Sequence, residues 1–230
     1  GLAAILVIGL IIRNNAMQRK SFKIIEQQKE EVEMQKNIAE KQKEVVEMKN
    51  EEILSSIQYA KRIQTAILPS QKKLDNIGLS NFVAYQPKDI VSGDFYWFER
   101  IGTKLYFTAA DCTGHGVPGA MVSVVCSNAL TKDVRELGLK KPHEILDKVS
   151  EIIEANFENA DEDIADGMDL ALCCLDLETK MLSFSGANNP LYMIRKGEEE
   201  NSTLIENGYS LLELKADIQP IGKYFDRKPF

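Results

Sequence analysis

"GDFYWFERIGTKLYFTAADCTGHGVPGAM", residues 93–121, is the stretch on which the fold turns. Two runs rich in aromatic residues, "GDFYWFERIG" and "KLYFTAAD", meet at the turn sequence "IGTK" and so read as a β-hairpin. A glycine loop follows, Gly114-x-Gly116-x-x-Gly119. After it an apolar segment reads as a helix from about Val117 to Leu137, with Pro118 tolerable in the first turn. Strand, glycine loop and helix in that order are also the outline of a dinucleotide-binding loop.

Three features argue against a dinucleotide. Such a loop needs its helix to be followed by a parallel strand carrying an acidic end. Here a second helix follows instead: Pro142 opens it, and Ile145, Leu146, Val149, Ile152, Ile153 and Phe157 mark one apolar face. Glu136, at about the right distance for the acidic residue, lies at a helix end. Asp111 would also oppose a pyrophosphate, since two unit charges ~4 Å apart at an effective dielectric of ~20 repel by about 4 kcal/mol.

A divalent cation reverses that sign. Pairing through "IGTK" puts Asp94 and Asp111 at the same end of the two strands, each about eight residues from the turn centre. Like charges so placed destabilise the hairpin unless a cation sits between them, and a hard cation takes carboxylate oxygens readily. The two are therefore candidate metal ligands.

Outward from this stretch, "NFVAYQP" (81–87) reads as a further strand before the hairpin. "DEDIADG" (161–167) reads as a loop; as an EF-hand it fails, because the glycine falls one place late and Leu172 takes the twelfth position. "MDLALCCLDLETKMLSFSGANNPLYMIRKG" yields three strands with tight turns, and "STLI" and "SLLEL" two short ones. Strands, two helices and strands again point to an α+β fold with mostly antiparallel sheets.

Between Gly9 and Pro69 there is neither Gly nor Pro. Ile25, Val32, Ala39, Val46, Ile53, Ala60 and Ile67 recur every seventh residue, while the second core position of the heptad is mostly Gln or Lys. This is half of a coiled-coil seam, expected to pair as a parallel dimer over a helix reaching on the order of 90 Å. Before it, "GLAAILVIGLII" is apolar but too short for the ~20 residues a span needs. With Arg13, Arg19, Lys20 and Lys23 following, it reads as the end of a transmembrane helix.

The net charge of −7 is uneven: residues 13–73 carry 13 Lys/Arg against 9 Asp/Glu, the remainder 15 against 26. An acidic domain without a basic stripe excludes nucleic acid as its expected ligand. Four cysteines without a C-x-x-C pair, and two histidines, exclude a zinc site or disulfide framework and suggest reduced thiols.

Taken together and in order, "GDFYW", "DCTGHGVPGAM", "DGMDLALCCLD", "SGANNPLY" and "QPIG" closely resemble the SpoIIE-like branch of the metal-dependent (PPM, type 2C) serine/threonine protein phosphatases. The resemblance covers roughly residues 55–230 and extends to the lead-in "SIQYAKRIQTAILPS". It implies an α-β-β-α fold, an antiparallel β-sandwich flanked by helices, here preceded by a long N-terminal helix. It also implies two Mn2+ or Mg2+ ions, with Asp111 as the bridging ligand, Asp94 holding metal or its water, the Cys112 carbonyl supporting one ion and Asp166 serving a peripheral third. His115 is a candidate proton donor to the leaving oxygen, or a residue that merely shapes the loop.

The implied organisation is the end of a transmembrane helix (1–12), a coiled-coil signalling helix (13–68), a linker (69–81) and a PPM-type domain (82–230). Phosphoserine or phosphothreonine on a regulatory protein, such as an anti-sigma-factor antagonist, is the implied substrate. Such an enzyme is expected as a homodimer at the cell inner membrane, with its phosphatase domain in the cytoplasm. Trp97 and Asn188 stand where the family usually has Asp and His. The family's later Asp-Gly motif and final aspartate have no counterpart before Phe230, so the domain is expected to be incomplete. An inactive membrane-tethered scaffold is the alternative reading.

Overall fold

The computed structural model describes residues 1–138, 140–158 and 166–230. It divides into two compact units, Gly1–Ser55 and Ser56–Phe230. Helix α1 (Leu2–Ile67) supplies the first unit entirely and enters the second with its last turns. It persists because beyond Gly9 its sequence lacks helix breakers, and it stops where Pro69 removes the next backbone donor. Exposed Lys36–Glu40 and Lys43–Glu47 pairs at 3.9 and 3.6 Å decorate it, each contributing little.

Among the described residues, no helix is long and apolar enough to cross a membrane. This corrects the expected inner-membrane location. The apolar residues 1–12 give way to Arg13, Arg19, Lys20 and Lys23, so the described helix is nowhere apolar over the ~20 residues a span needs.

In the second unit a short helix α2 (Gln71–Asp75) precedes the hairpin of β1 (Phe95–Ile101) and β2 (Lys104–Cys112). The hairpin has the expected turn: Ile101 pairs with Lys104, and Gly102 adopts φ +60° between them. α3 (Gly116–Lys132) leads into a π-helical turn (Asp133–Leu137), and α4 (Pro142–Phe157) follows. The expected single helix to Leu137 thus changes its winding at Asp133 and ends at Gly138, which takes a left-handed conformation at φ +67°.

Strands β3 (Gly167–Asp176), β4 (Leu182–Ala187) and β5 (Leu191–Lys196) confirm the three strands read from the sequence. β6 (Leu204–Glu206), β7 (Tyr209–Leu214) and β8 (Ile221–Gly222) complete the described elements. One sheet runs β1-β2-β3-β4 with β8 on β3; the other runs β5-β7-β6. Every ladder among the described strands is antiparallel, and one isolated bridge, Ala187 to Asp217, is parallel. The α+β class with a long leading helix is therefore as expected. Residues 81–87, expected as a strand, have no ladder partner; Pro87 lacks a donor and Phe82 is 90% exposed. The expected "DEDIADG" loop falls mostly on 161–165, outside the described residues.

The larger sheet sorts its side chains by strand alternation. Phe95, Trp97, Tyr106, Ala110, Cys112, Met168, Leu170 and Leu172 join the main core with Leu130 of α3 and Ile145, Leu146, Val149 and Ile153 of α4. The opposite face carries Tyr96, Phe98, Leu105 and Phe107, packed on Leu74 and Ile77. Trp97 is anchored within the main core by its indole N–H, which donates to Thr131 Oγ1 at 2.9 Å. Arg135 of the π-turn grips Glu99 of β1 through both carboxylate oxygens at 2.9 and 3.0 Å.

Candidate functional site

The register of the hairpin decides where the acids lie. Phe95 pairs with Ala110, so Asp94, one residue before β1, falls opposite Asp111. On the other side of β2, Asp111 pairs directly with Asp169 of β3. Three carboxyl-bearing positions therefore form one row across three neighbouring strands, on the face opposite the main core.

Within that row Asp94 and Asp111 interact. Burial pushes the Asp111 carboxyl above its ordinary value, and Asp94, through a shared hydrogen bond and its charge, pushes the same way. Asp169 is oriented from its far side: Asn188 Nδ2 donates to Asp169 Oδ1 at 2.8 Å. Asn188 itself sits at φ +56°, with its backbone N–H donating to the Asp217 carbonyl at 2.8 Å. Asp94 and Asp111 also line a cleft of about 670 Å³ whose apolar walls include Tyr85, Tyr96, Phe98 and Phe107.

The glycines of the loop serve backbone packing. A Cβ on Gly119 would lie 2.5 Å from the Gly114 carbonyl oxygen and 3.2 Å from the Gly93 Cα. A Cβ on Gly93 would lie 2.9 Å from the Cys112 oxygen and 2.8 Å from that of Gly114. The three glycines thus let the loop, the first turns of α3 and the approach to β1 meet backbone to backbone, which fixes the ends of the strands bearing Asp94 and Asp111. Gly114 and Gly116 also hold φ +85° and +63°.

The remaining candidates are distributed around this end of the sheet. The Cys112 side chain is buried in the main core, leaving only its carbonyl, close to Gly93, for any ligand role. Asp166 Oδ1 accepts from Thr113 Oγ1 at 2.8 Å, and Thr113 Oγ1 accepts from the Gly167 N–H at 3.1 Å, so Asp166 is tied to the glycine loop. His115 stands at the start of α3 with its side chain 95% exposed, and its Nδ1 lies 3.9 Å from Asp89 Oδ2. Among the described residues, no three His, Cys, Asp or Glu side chains are gathered closely enough to hold a metal ion.

Sequence reading singled out Asn188 but missed Asp169 and the hydrogen bond that Asn188 donates to it. The available signal was parity: Asp169 interrupts the apolar positions Ala171, Cys173 and Leu175 on the same face of β3. Converting parity into a neighbour of Asp111 required the β2–β3 register, which no local motif specifies.

Among solved structures, the chain resembles the SiaA-PP2C domain of Pseudomonas aeruginosa, with 30% identity and a TM-score of 0.63 over 75% of this chain and 64% of that one. The chain therefore spans less than two thirds of that relative. The PP2C phosphatase domain and regulatory fragment of SpoIIE from Bacillus subtilis match at 20% identity and a TM-score of 0.42, over 57% of this chain and 34% of that one. No curated protein matches the sequence. The family model described as stage II sporulation protein E (SpoIIE) matches residues 102–219, more than half of the sequence, from β2 and the glycine loop through β7, with β1 and Asp94 lying before it. The chain belongs to the SpoIIE family of PP2C-type signalling phosphatases.

Proposed function

We propose that this protein hydrolyses phosphoserine or phosphothreonine on a regulatory protein partner, by a metal-dependent route. The observation that carries the reading is the interacting pair Asp94 and Asp111, placed side by side by a hairpin in a chain of this family. Members of the PP2C family use Mn2+ or Mg2+, and the donor chemistry here fits such ions: two hard carboxylates share one strand end, and their mutual repulsion calls for a cation.

Asp94 and Asp111 would hold the metal, with the Cys112 carbonyl as a supporting oxygen and Asp166 serving a peripheral ion. Asp169, next in the row, adds negative charge at the same end of the sheet. The ions, when bound, supply charge neutralisation for a phosphoryl group and an activated water. Around them the protein's own groups have separate tasks. Asn188 orients Asp169, and Thr113 ties Asp166 to the glycine loop. An apolar-walled cleft lies beside the acids, open to a bound partner. His115, being exposed, is placed to reach a bound phosphoprotein rather than to touch the acids. No cysteine serves as nucleophile, because all four are buried.

The partner fits the class of small phosphorylated regulators used in partner-switching systems, such as an anti-sigma-factor antagonist. The seventh-residue stripe of α1 supports pairing with a second copy: Ile25, Val32, Val46 and Ile53 are each at least half exposed. The decisive assay is phosphate release from a phosphorylated regulator with Mn2+, with Asp111→Asn alongside. Activity should be lost in the variant; undiminished turnover would refute the mechanism.

A further inference from the structure

Gln64 is the one described side chain of α1 that is buried, at 4% exposure, in a helix otherwise open to solvent or half-covered. Its amide is fully used. Nε2 donates to the Ser92 carbonyl at 2.5 Å and to Ser123 Oγ at 3.0 Å, while Oε1 accepts from the Ser92 N–H at 3.2 Å. A single side chain thus pairs with both backbone groups of Ser92, as a neighbouring strand would, and reaches α3 at the same time. Residue 92 precedes β1 and has no strand partner of its own in the ladder.

What Ser92 then holds is the turn that presents Asp94. Ser92 Oγ accepts from the Asp94 N–H at 3.0 Å, and Tyr85 Oη donates to the Asp94 carbonyl at 3.2 Å. Gly93, between them, is pressed against the Cys112 and Gly114 carbonyls. Asp94 lies outside the regular ladder, so these contacts rather than strand pairing set its direction toward Asp111.

We propose that Gln64 is a positioning residue for Asp94: its amide fixes the Ser92–Asp94 turn and so sets the affinity of the acid pair for a divalent cation. The inference rests on the metal reading given above. The choice of residue follows from the chemistry. Among side chains that need no proton taken up, only an amide presents a donor and an acceptor side by side, matching the carbonyl and N–H of one peptide residue. Methionine has the same length and fills the same space with neither. Glutamate keeps acceptors but sets a charged oxygen against the Ser92 carbonyl.

The test titrates the full chain with Mn2+ by calorimetry and by the loss of the free Mn2+ EPR signal. Wild type is compared with Gln64→Met, Gln64→Glu and Asp94→Asn, each checked for a cooperative thermal transition. Residues that orient metal ligands typically change affinity by ~10–100-fold, so Gln64→Met should bind Mn2+ at least about tenfold more weakly while still unfolding cooperatively. Gln64→Glu should weaken binding in the same direction, and it decides the matter if the methionine variant fails to fold. Hydrogen exchange at the Ser92 and Asp94 amides of the metal-free variants should quicken in parallel. A folded Gln64 variant with wild-type Mn2+ affinity overturns the positioning role and leaves the metal reading intact. Absence of Mn2+ binding in wild type, or binding indifferent to Asp94→Asn, overturns both.

Discussion

Asp133 offers the most demanding check on the packing described here. It opens the π-turn after α3, is 0% exposed, and neither of its carboxylate oxygens has a hydrogen-bond partner among the described residues. Burial raises its pKa from an ordinary 3.8 to about 6, against the pull of Lys148 and Lys132 and with the help of Glu151. The folded state therefore holds this proton more tightly than the unfolded state. Its contribution to stability is fully present below the ordinary value and is lost as pH rises through about 6.

At about 1.4 kcal/mol per pKa unit, ionising Asp133 in place costs roughly 3 kcal/mol above the folded pKa. Asp133→Asn keeps the shape and cannot ionise. Its own unbonded amide carries a penalty, but one that does not vary with pH. The quantity to measure is therefore the change in variant-minus-wild-type stability between pH 4.5 and pH 8. Integrating the linkage over that interval gives a relative gain of about 2 kcal/mol for the variant. Urea unfolding can be followed through Trp97, the single tryptophan, which is 4% exposed. A difference that stays flat across that range would show that Asp133 ionises as readily in the fold as in the unfolded chain, and the packing argument would fail.

Two further outcomes follow from contacts already described. Gly119→Ala should destabilise by roughly 1–3 kcal/mol, outweighing the helix preference of alanine, because the new Cβ meets the rigid backbone of Gly114; chemical denaturation measures it, and a stabilised variant would contradict the close approach. Ile153→Ala, which empties a fully buried site between α4 and β8, should cost about 2–5 kcal/mol in the same assay, with a smaller loss showing that the site collapses around it.

The unevenness of what could be read from sequence has physical causes. The β1–β2 hairpin was legible because a two-residue turn fixes its register locally, and that register brings Asp94, one residue before β1, to the level of Asp111. Asp169 was not legible: it reaches Asp111 across a connection of more than fifty residues, where nothing local sets the alignment of β3 on β2. The strand expected at 81–87 failed because apolar content does not supply a ladder partner. The inner-membrane location failed because no helix among the described residues is apolar over the length a span needs.

By itself the sequence determined the secondary structure wherever periodicity or turn chemistry acts over a few residues: the long helix without breakers, the amphipathic α4, the hairpin and the strands from Gly167 to Lys196. Family membership was legible for the same reason, since its motifs are short and local. Only the tertiary structure decided that the glycine loop is a backbone packing joint, that Asp169 completes the row of acids, and that Gln64 is withdrawn from solvent onto Ser92. Each of these depends on groups far apart in the chain approaching within a few ångströms, and that approach is set by the packing of the whole sheet and its helices.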